Sequence, residues 1–104
     1  MDSNWVKVAP VGTVEQGGMQ KVNVAGEPVC LYNLEGRLYA TQDVCTHAEA
    51  SLSEGYIDGE CIECPLHQAL FHIPTGEVRG EPATENLRVY EVRVVAGAIE
   101  VKAP

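Results

Sequence analysis

The chain has 104 residues, of which 45% are hydrophobic and 21% are charged, and its formal net charge at pH 7 is −8. A chain of this length is expected to fold as one domain, residues 1–104, that buries roughly 60–70% of its surface. The negative charge argues against nucleic acid or anionic membrane surfaces as partners. No apolar run approaches the ~20 residues of a membrane span, and residues 1–4 lack the features of an export signal, so we expect a cytoplasmic monomer without a membrane anchor.

Short alternating runs of apolar and polar residues, separated by turns, predict β-strands and no long helix. Asp58-Gly59 is the strongest hairpin signal, because Asp-Gly favours a two-residue type I′ turn. In chain order the predicted strands are 5–9, 19–25, 28–34, 37–41, 56–57, 60–63, 70–73, 77–79, 87–95 and 98–102, with a loop over 11–18 and turns at Gly26-Glu27, Glu35-Gly36, Asp58-Gly59, Pro74–Gly76 and Ala96-Gly97. Such a series is typical of an all-β antiparallel sandwich or small barrel.

Four residues of metal-binding type lie in two short motifs between the predicted strands. Cys45-Thr46-His47 is a Cys-x-His pair, and Cys64-Pro65-Leu66-His67 is a Cys-x-x-His pair. Two thiolates and two imidazoles fit a Rieske [2Fe–2S] centre, in which cysteines hold one iron and histidines the other. On spacing alone they also fit a Cys₂His₂ zinc site. Loops held between strands provide the rigidity that either site requires.

The other cysteines and the third histidine are interpreted as structural. Cys30 lies in an apolar run, and Cys61 stands three residues before Cys64, where an extended strand would direct the two side chains to opposite faces. We expect Cys30 and Cys61 to be small buried residues without a disulfide, because the cytoplasm is reducing. His72, in a predicted strand, is interpreted as a packed or solvent-facing residue.

The two motifs and their flanks resemble those of the Rieske ferredoxins that serve bacterial aromatic-ring dioxygenases, the naphthalene type in particular. The flanks that carry the likeness are the Asp58-Gly59 hairpin before the second motif and Phe71 and Thr75-Gly76 after it. The resemblance runs from Trp5 to Val101. It implies a Rieske-type fold, in which a cluster-binding subdomain with two ligand loops is inserted in a β base domain.

The resemblance places this cluster-binding subdomain at about residues 43–80. It also implies a single [2Fe–2S] cluster, whose inner iron is held by two cysteines and whose outer iron is held near the surface by two histidines. These four residues are Cys45 and Cys64 for the inner iron and His47 and His67 for the outer iron.

A cluster with no open coordination position stores one electron, which indicates a carrier and not a catalyst. The resemblance implies the setting: an NAD(P)H-dependent flavin reductase reduces the ferredoxin, which reduces a terminal Rieske oxygenase. Gln68, beside the second motif, is a candidate contact residue for a partner. Two alternatives are a Rieske-like small subunit of a nitrite reductase and a zinc-ribbon-like structural module.

Departures from the high-potential Rieske proteins predict a low reduction potential. Where those proteins carry an additional disulfide, this chain has Ala50 and Leu66, and where they carry a serine and a tyrosine that donate hydrogen bonds to the cluster, it has Ala69 and Phe71. Because such hydrogen bonds stabilise the reduced state, we expect a potential of roughly −150 mV rather than +300 mV. The resemblance also places a third, proline-containing loop at Gly80–Ala83, with an ordinary turn as the alternative.

Overall fold

The structure is a computed structural model that describes residues 4–46, 49–66, 68–81 and 84–103. Over these ranges it is almost entirely β, with a single turn of 3₁₀ helix at Leu52–Glu54, so the all-β prediction is confirmed. No helix in the described part of the chain is long and apolar enough to cross a membrane. The strands are β1 Trp5–Pro10, β2 Met19–Val24, β3 Glu27–Leu34, β4 Arg37–Gln42, β5 Tyr56–Asp58, β6 Cys61–Glu63, β7 Leu70–His72, β8 Val78–Gly80, β9 Val89–Tyr90, β10 Val92–Val95 and β11 Ala98–Lys102.

The strands form three antiparallel sheets. Two of them, β1-β11-β10 and β2-β3-β4-β9, enclose a core of small and branched apolar side chains, here called the base core. The third sheet, β5-β6-β7-β8, lies in sequence between β4 and β9 of the second sheet. The buried members of the base core are Ala9, Val14, Val24, Val29, Leu31, Ala40, Ile99 and Val101.

A second group of buried side chains, here called the site core, packs against the third sheet and includes both motif cysteines. Strand β3 contributes to both cores, because successive side chains of a strand point to opposite faces. Val29 and Leu31 belong to the base core, whereas Cys30 and Tyr32 belong to the site core. Burial on both faces explains the continuous apolar run in β3. The buried members of the site core are Cys30, Tyr32, Cys45, Leu52, Ile62, Cys64, Ala69, Phe71, Ile73 and Leu87.

Two hairpin turns lie one residue away from the predicted positions. Val24 pairs with Glu27, so the first turn is Ala25-Gly26, with both residues at positive φ, and not Gly26-Glu27. Asp58 pairs with Cys61, so the turn of the third sheet is Gly59-Glu60. Because only Gly59 of that pair has positive φ, the hairpin is confirmed but its type I′ turn is wrong.

The prediction of one strand over 87–95 is wrong, because the chain changes sheets within it. Val89–Tyr90 pairs with β4, whereas Val92–Val95 pairs with β11. Glu91 lies between the two strands. An uninterrupted alternation of side chains cannot reveal such a change, since the apolar pattern is the same whichever sheet a strand joins.

Candidate metal centre

Each motif cysteine begins a loop that is closed in the same way: Cys64 directly follows β6, and Cys45 lies three residues after the end of β4. The backbone N–H of Cys45 donates to the carbonyl of Ala50 at 2.9 Å, and that of Cys64 donates to the carbonyl of Ala69 at 2.8 Å. Each bond spans five residues of chain and ties the cysteine to the far side of its own loop. The two loops therefore present their cysteines from equivalent, rigidly held positions.

The two thiols lie together in the site core. Cys45 is 4% exposed and Cys64 is fully buried, and neither forms a disulfide. Burial and, second, a hydrogen bond with Cys45 raise the pKa of the Cys64 thiol to about 11, although a backbone hydrogen bond from Leu66 acts in the opposite direction. The structure thus brings the cysteines of both motifs into direct contact.

His47 and His67 lie outside the described residues. Within the described ranges, no group of three or more His, Cys, Asp or Glu side chains is arranged to hold a metal ion. The chemistry of the two cysteines nevertheless fits the inner half of a [2Fe–2S] centre. Adjacent, buried and unoxidised thiols supply soft donors that lose their protons when a metal binds.

Apolar side chains surround the two thiols. Ala69 and Phe71, where a high-potential centre would have hydroxyl groups, are both fully buried in the site core. Leu87 joins them from the segment after β8 and donates its N–H to the carbonyl of Gly76 at 2.7 Å. Neither Ala69 nor Phe71 has a hydrogen-bond donor in its side chain. At these two positions the protein therefore cannot make the hydrogen bonds to the cluster that the hydroxyl groups would make.

Thr46, between the two ligand candidates of the first motif, was not singled out from the sequence. Its hydroxyl donates to the carbonyl of Glu85 at 2.7 Å and thereby ties the first loop to the chain beyond the expected third loop. Of that loop, Pro82 and Ala83 lie outside the described residues, and Gly80 is the last residue of β8. In the sequence, the hydroxyl-bearing side chain of Thr46 is the one feature from which this contact could have been predicted.

Exposed side chains flank the second motif. Leu66 is 45% exposed, although Cys64, two residues before it, is fully buried, and Pro65 and Gln68 are exposed as well. Gln68 has a φ of 60°, in the left-handed region that residues other than glycine rarely adopt. An accessible, partly apolar surface therefore lies directly beside the buried thiols.

The remaining cysteines and His72 have structural positions. Cys30 is fully buried, as predicted, but Cys61 is only half-buried, because in β6 the side chain of Ile62 takes the inward position. Cys61 pairs across the sheet with His72. The ring nitrogens of His72 contact Thr75 Oγ1 at 2.8 Å and Glu60 Oε1 at 3.2 Å, as expected for a packed strand histidine.

A family model described as the Rieske [2Fe-2S] domain matches residues 4–91. The chain belongs to the Rieske [2Fe–2S] domain family. It therefore carries a Rieske-type [2Fe–2S] cluster, and the zinc alternative is not supported.

Two relatives show which branch of the Rieske family this ferredoxin resembles. Ferredoxin CarAc of Metapseudomonas resinovorans is 41% identical over 102 residues, which cover 97% of this chain and 95% of the relative. The ferredoxin component of the naphthalene 1,2-dioxygenase system of Pseudomonas putida is 38% identical over 94 residues, 90% of each chain. Since these relatives are ferredoxin components, the predicted role of electron carrier, and not of catalytic subunit, is confirmed.

Solved structures show the same fold. In a complex of reduced oxygenase and oxidized ferredoxin in carbazole 1,9a-dioxygenase, the matching chain has a TM-score of 0.89 and 41% identity, with 95% of this chain and 93% of that chain covered. A putative nitrite reductase small subunit is also similar, with a TM-score of 0.81 but 26% identity over 95% of this chain and 98% of that chain. The Rieske-type fold is thus confirmed, and the higher identity favours the dioxygenase ferredoxins.

Proposed function

We propose that this Rieske ferredoxin passes single electrons from an NAD(P)H-dependent flavin reductase to the terminal Rieske oxygenase of an aromatic-ring dioxygenase system. The proposal depends on one structural observation: the buried thiols of two equivalent loops lie in contact beside an exposed surface. Two findings support this setting: the Pseudomonas putida relative is named as the ferredoxin component of a dioxygenase system, and a similar ferredoxin has been solved in complex with the oxygenase of carbazole 1,9a-dioxygenase.

We further propose that the protein is a cytoplasmic monomer with one domain over residues 1–104, in which residues 43–80 form the cluster-binding subdomain. The position of the third sheet, between β4 and β9 in sequence, supports this division. So does the separation of the buried residues into a base core and a site core.

The proposed ligands are Cys45 and Cys64 for the inner iron and His47 and His67 for the outer iron. When bound, the cluster supplies a site that gains and loses one electron. The two cysteines hold the inner side away from water, because both are buried among apolar side chains. The loops that follow them direct the chain towards the surface, where Leu66 is exposed.

The ligand assignment is tested by iron and acid-labile sulfide analysis together with electron paramagnetic resonance after dithionite reduction. Wild-type protein is expected to contain iron and sulfide in near-equal amounts and to show an anisotropic Rieske signal. Cys45→Ala and His47→Ala should lose the signal, whereas His72→Ala should retain it, because the ring nitrogens of His72 are hydrogen-bonded to Thr75 and Glu60 in turns of the third sheet. A colourless wild-type protein that contains zinc would contradict the assignment.

We propose that the oxygenase contacts the surface formed by Leu66, Pro65 and Gln68, because an electron carrier has to bring its cluster close to its partner. Leu66→Asp should slow electron transfer to the oxygenase without changing the visible spectrum. Val95→Asp is a matched control, since Val95 is 43% exposed, close to the 45% of Leu66, but lies in β10 of the base sheets. Equal rates for the two variants would refute this surface.

The partner assignment is tested by coupling NADH oxidation through candidate flavin reductases and this ferredoxin to a panel of oxygenases and aromatic compounds. Product formation that requires the ferredoxin would support the proposed setting. Electron delivery to a nitrite reductase and to no oxygenase of the panel would favour the nitrite reductase alternative.

A further inference from the structure

Asp43 is a buried carboxylate that the assignment of ligands leaves without a role. It is 1% exposed, and among the described residues it is the only buried side chain of a charged type. It follows the last residue of β4 and precedes Cys45 by two positions. Burying a carboxylate is costly unless the group is hydrogen-bonded or paired, so its contacts indicate what it does.

The main chain and side chain of Asp43 together close the neck of the first ligand loop. Its N–H donates to the carbonyl of Pro28 at 3.1 Å, and its carbonyl accepts from the N–H of Leu52 at 2.7 Å. Oδ1 accepts from the N–H of Ser53 at 3.0 Å, and Oδ2 accepts from the hydroxyl of Ser51. One residue therefore joins β3, the start of the loop and the 3₁₀ turn at its end.

The neck is continuous with the position of the first cysteine. Val44, between Asp43 and Cys45, forms an isolated antiparallel bridge with Ser51. The next bond along is the one from Cys45 N–H to the carbonyl of Ala50. A change in the contact between Asp43 and Ser51 would therefore be transmitted through one bridge to the cysteine.

The charge of Asp43 is only partly compensated. Its one cationic neighbour within the described part of the chain, Lys21, places Nζ 3.9 Å from Oδ2, but the lysine side chain is 58% exposed whereas that of Asp43 is 2% exposed. Water screens the positive charge of the exposed lysine more effectively than the negative charge of the buried carboxylate. The protein interior around Asp43 therefore has a negative electrostatic potential.

That potential extends into the site core. Burial first, and the negative charge of Asp43 in addition, raise the pKa of the Cys30 thiol to about 12, while a hydrogen bond with Tyr32 acts in the opposite direction. Cys30 packs in the same core as Cys45 and Cys64. The carboxylate thus acts electrostatically on groups that share the surroundings of the two ligand cysteines.

We propose that Asp43 is a positioning residue of the metal centre: its hydrogen bonds hold the first ligand loop closed, and its buried negative charge lowers the reduction potential. The inference rests on the proposed role of Cys45 as a ligand. An added electron is disfavoured by a nearby negative charge, and the effect is strong where water is excluded.

The charge is tested by redox titration of variants that retain the Rieske circular dichroism and paramagnetic spectra. Asp43→Asn keeps an acceptor for Ser53 and a partner for Ser51, and it should increase the equilibrium constant for reduction about tenfold, which is about 59 mV for one electron. Lys21→Gln should shift the potential in the opposite direction and by less. Glu49→Gln, which removes an exposed charge from the same loop, should change the constant less than about twofold.

The hydrogen bonds are tested by the rate at which an iron chelator removes the cluster. Asp43→Ala should release iron at least about tenfold faster than wild type, because the amides and hydroxyl at the neck lose their acceptor, whereas Asp43→Asn should remain near the wild-type rate. An Asp43→Ala variant that does not fold with a cluster, beside a stable Asp43→Asn variant, would support the same role.

A wild-type release rate in Asp43→Ala would overturn the positioning role. An unchanged potential in Asp43→Asn, or shifts of the same sign in Asp43→Asn and Lys21→Gln, would overturn the electrostatic role. A wild-type protein without a Rieske signal would instead contradict the ligand assignment, and this result is obtained before any Asp43 variant is measured.

Discussion

Cys45 and Cys64 belong to different loops, yet their side chains meet in one apolar core. At the scale of single residues, the donor types follow from the motifs, but the environment of the donors depends on neighbours that the motifs do not contain. Asp43 and Thr46 act on the first loop through Ser51, Ser53 and the carbonyl of Glu85. The sequence interpretation missed both residues, because an aspartate or a threonine in a loop gives no indication of burial or of a distant partner.

Phe71→Tyr is expected to raise the reduction potential, because the added hydroxyl would lie in the site core that contains both thiols. A hydrogen bond to a charged group contributes about 1.5–3 kcal/mol, and only the part by which it favours the reduced over the oxidised cluster shifts the potential, so the equilibrium constant for reduction should rise by up to about tenfold. Redox titration measures the change, with Phe71→Leu as the control for altered packing.

The wild-type potential should lie near the bottom of the Rieske range, and a value well above zero would contradict the predicted absence of such hydrogen bonds.

At the scale of strands and turns, both ligand loops depend on how the third sheet packs. The hairpin of β5 and β6 leads the chain into Cys64, and β7 begins directly after Ala69 closes the second loop. In the turn before β8, the carbonyl of Gly76 accepts a hydrogen bond from the N–H of Leu87. This bond joins the turn to the segment that contains Leu87. The sequence predicted these strands to within about one residue at most boundaries, but it could not show which elements would pack together.

Gly76→Ala is expected to destabilise the protein more than Gly59→Ala does. Both glycines have positive φ, at 77° and 62°, so each substitution introduces backbone strain of about 1–2 kcal/mol. A Cβ atom at Gly76 would also lie 2.3 Å from the carbonyl oxygen of Leu87, whereas one at Gly59 would meet no atom within 4 Å. The expected loss for Gly76→Ala is therefore roughly 3 kcal/mol or more.

Chemical denaturation followed by far-ultraviolet circular dichroism measures this difference. Equal losses of stability in the two glycine variants would show that the contact with Leu87 contributes nothing.

Ile62→Ala and Ile99→Ala separate the two cores. Both side chains are fully buried, Ile62 in the site core and Ile99 in the base core, so each truncation should cost about 2–5 kcal/mol. Only Ile62→Ala should also accelerate removal of the cluster by a chelator, because only Ile62 packs with the ligand cysteines. Matching release rates for the two variants would indicate that the cores do not act separately.

At the scale of the whole molecule, the protein has a formal net charge of −8 and presents a partly apolar surface beside its second ligand loop. Negative charge steers encounters with basic partners over distances up to about 10 Å at 0.1 M salt. The same charge also promotes solubility, and composition alone does not distinguish the two effects.

The rate of electron transfer to a reductase or an oxygenase is expected to fall as ionic strength rises, by about tenfold between low and high salt if encounters are steered. Stopped-flow measurements over a range of salt concentrations test this expectation. The control is a small neutral oxidant, with which the rate should not depend on salt. A salt-independent rate with the protein partner would leave the charge with a role in solubility alone.

The sequence by itself determined the all-β class and supplied the candidate ligands, because these depend on local information, namely the alternation of side chains along each strand and the Cys and His residues within each motif. The spacing left zinc and a [2Fe–2S] cluster open, and the resemblance of the motifs and their flanks to the Rieske ferredoxins predicted the cluster. Only the tertiary structure decided that β9 and β10 join different sheets, that the two thiols touch, and that Asp43 is buried at the neck of a ligand loop. Each of these depends on pairing and burial between segments far apart in the chain, which no local pattern specifies.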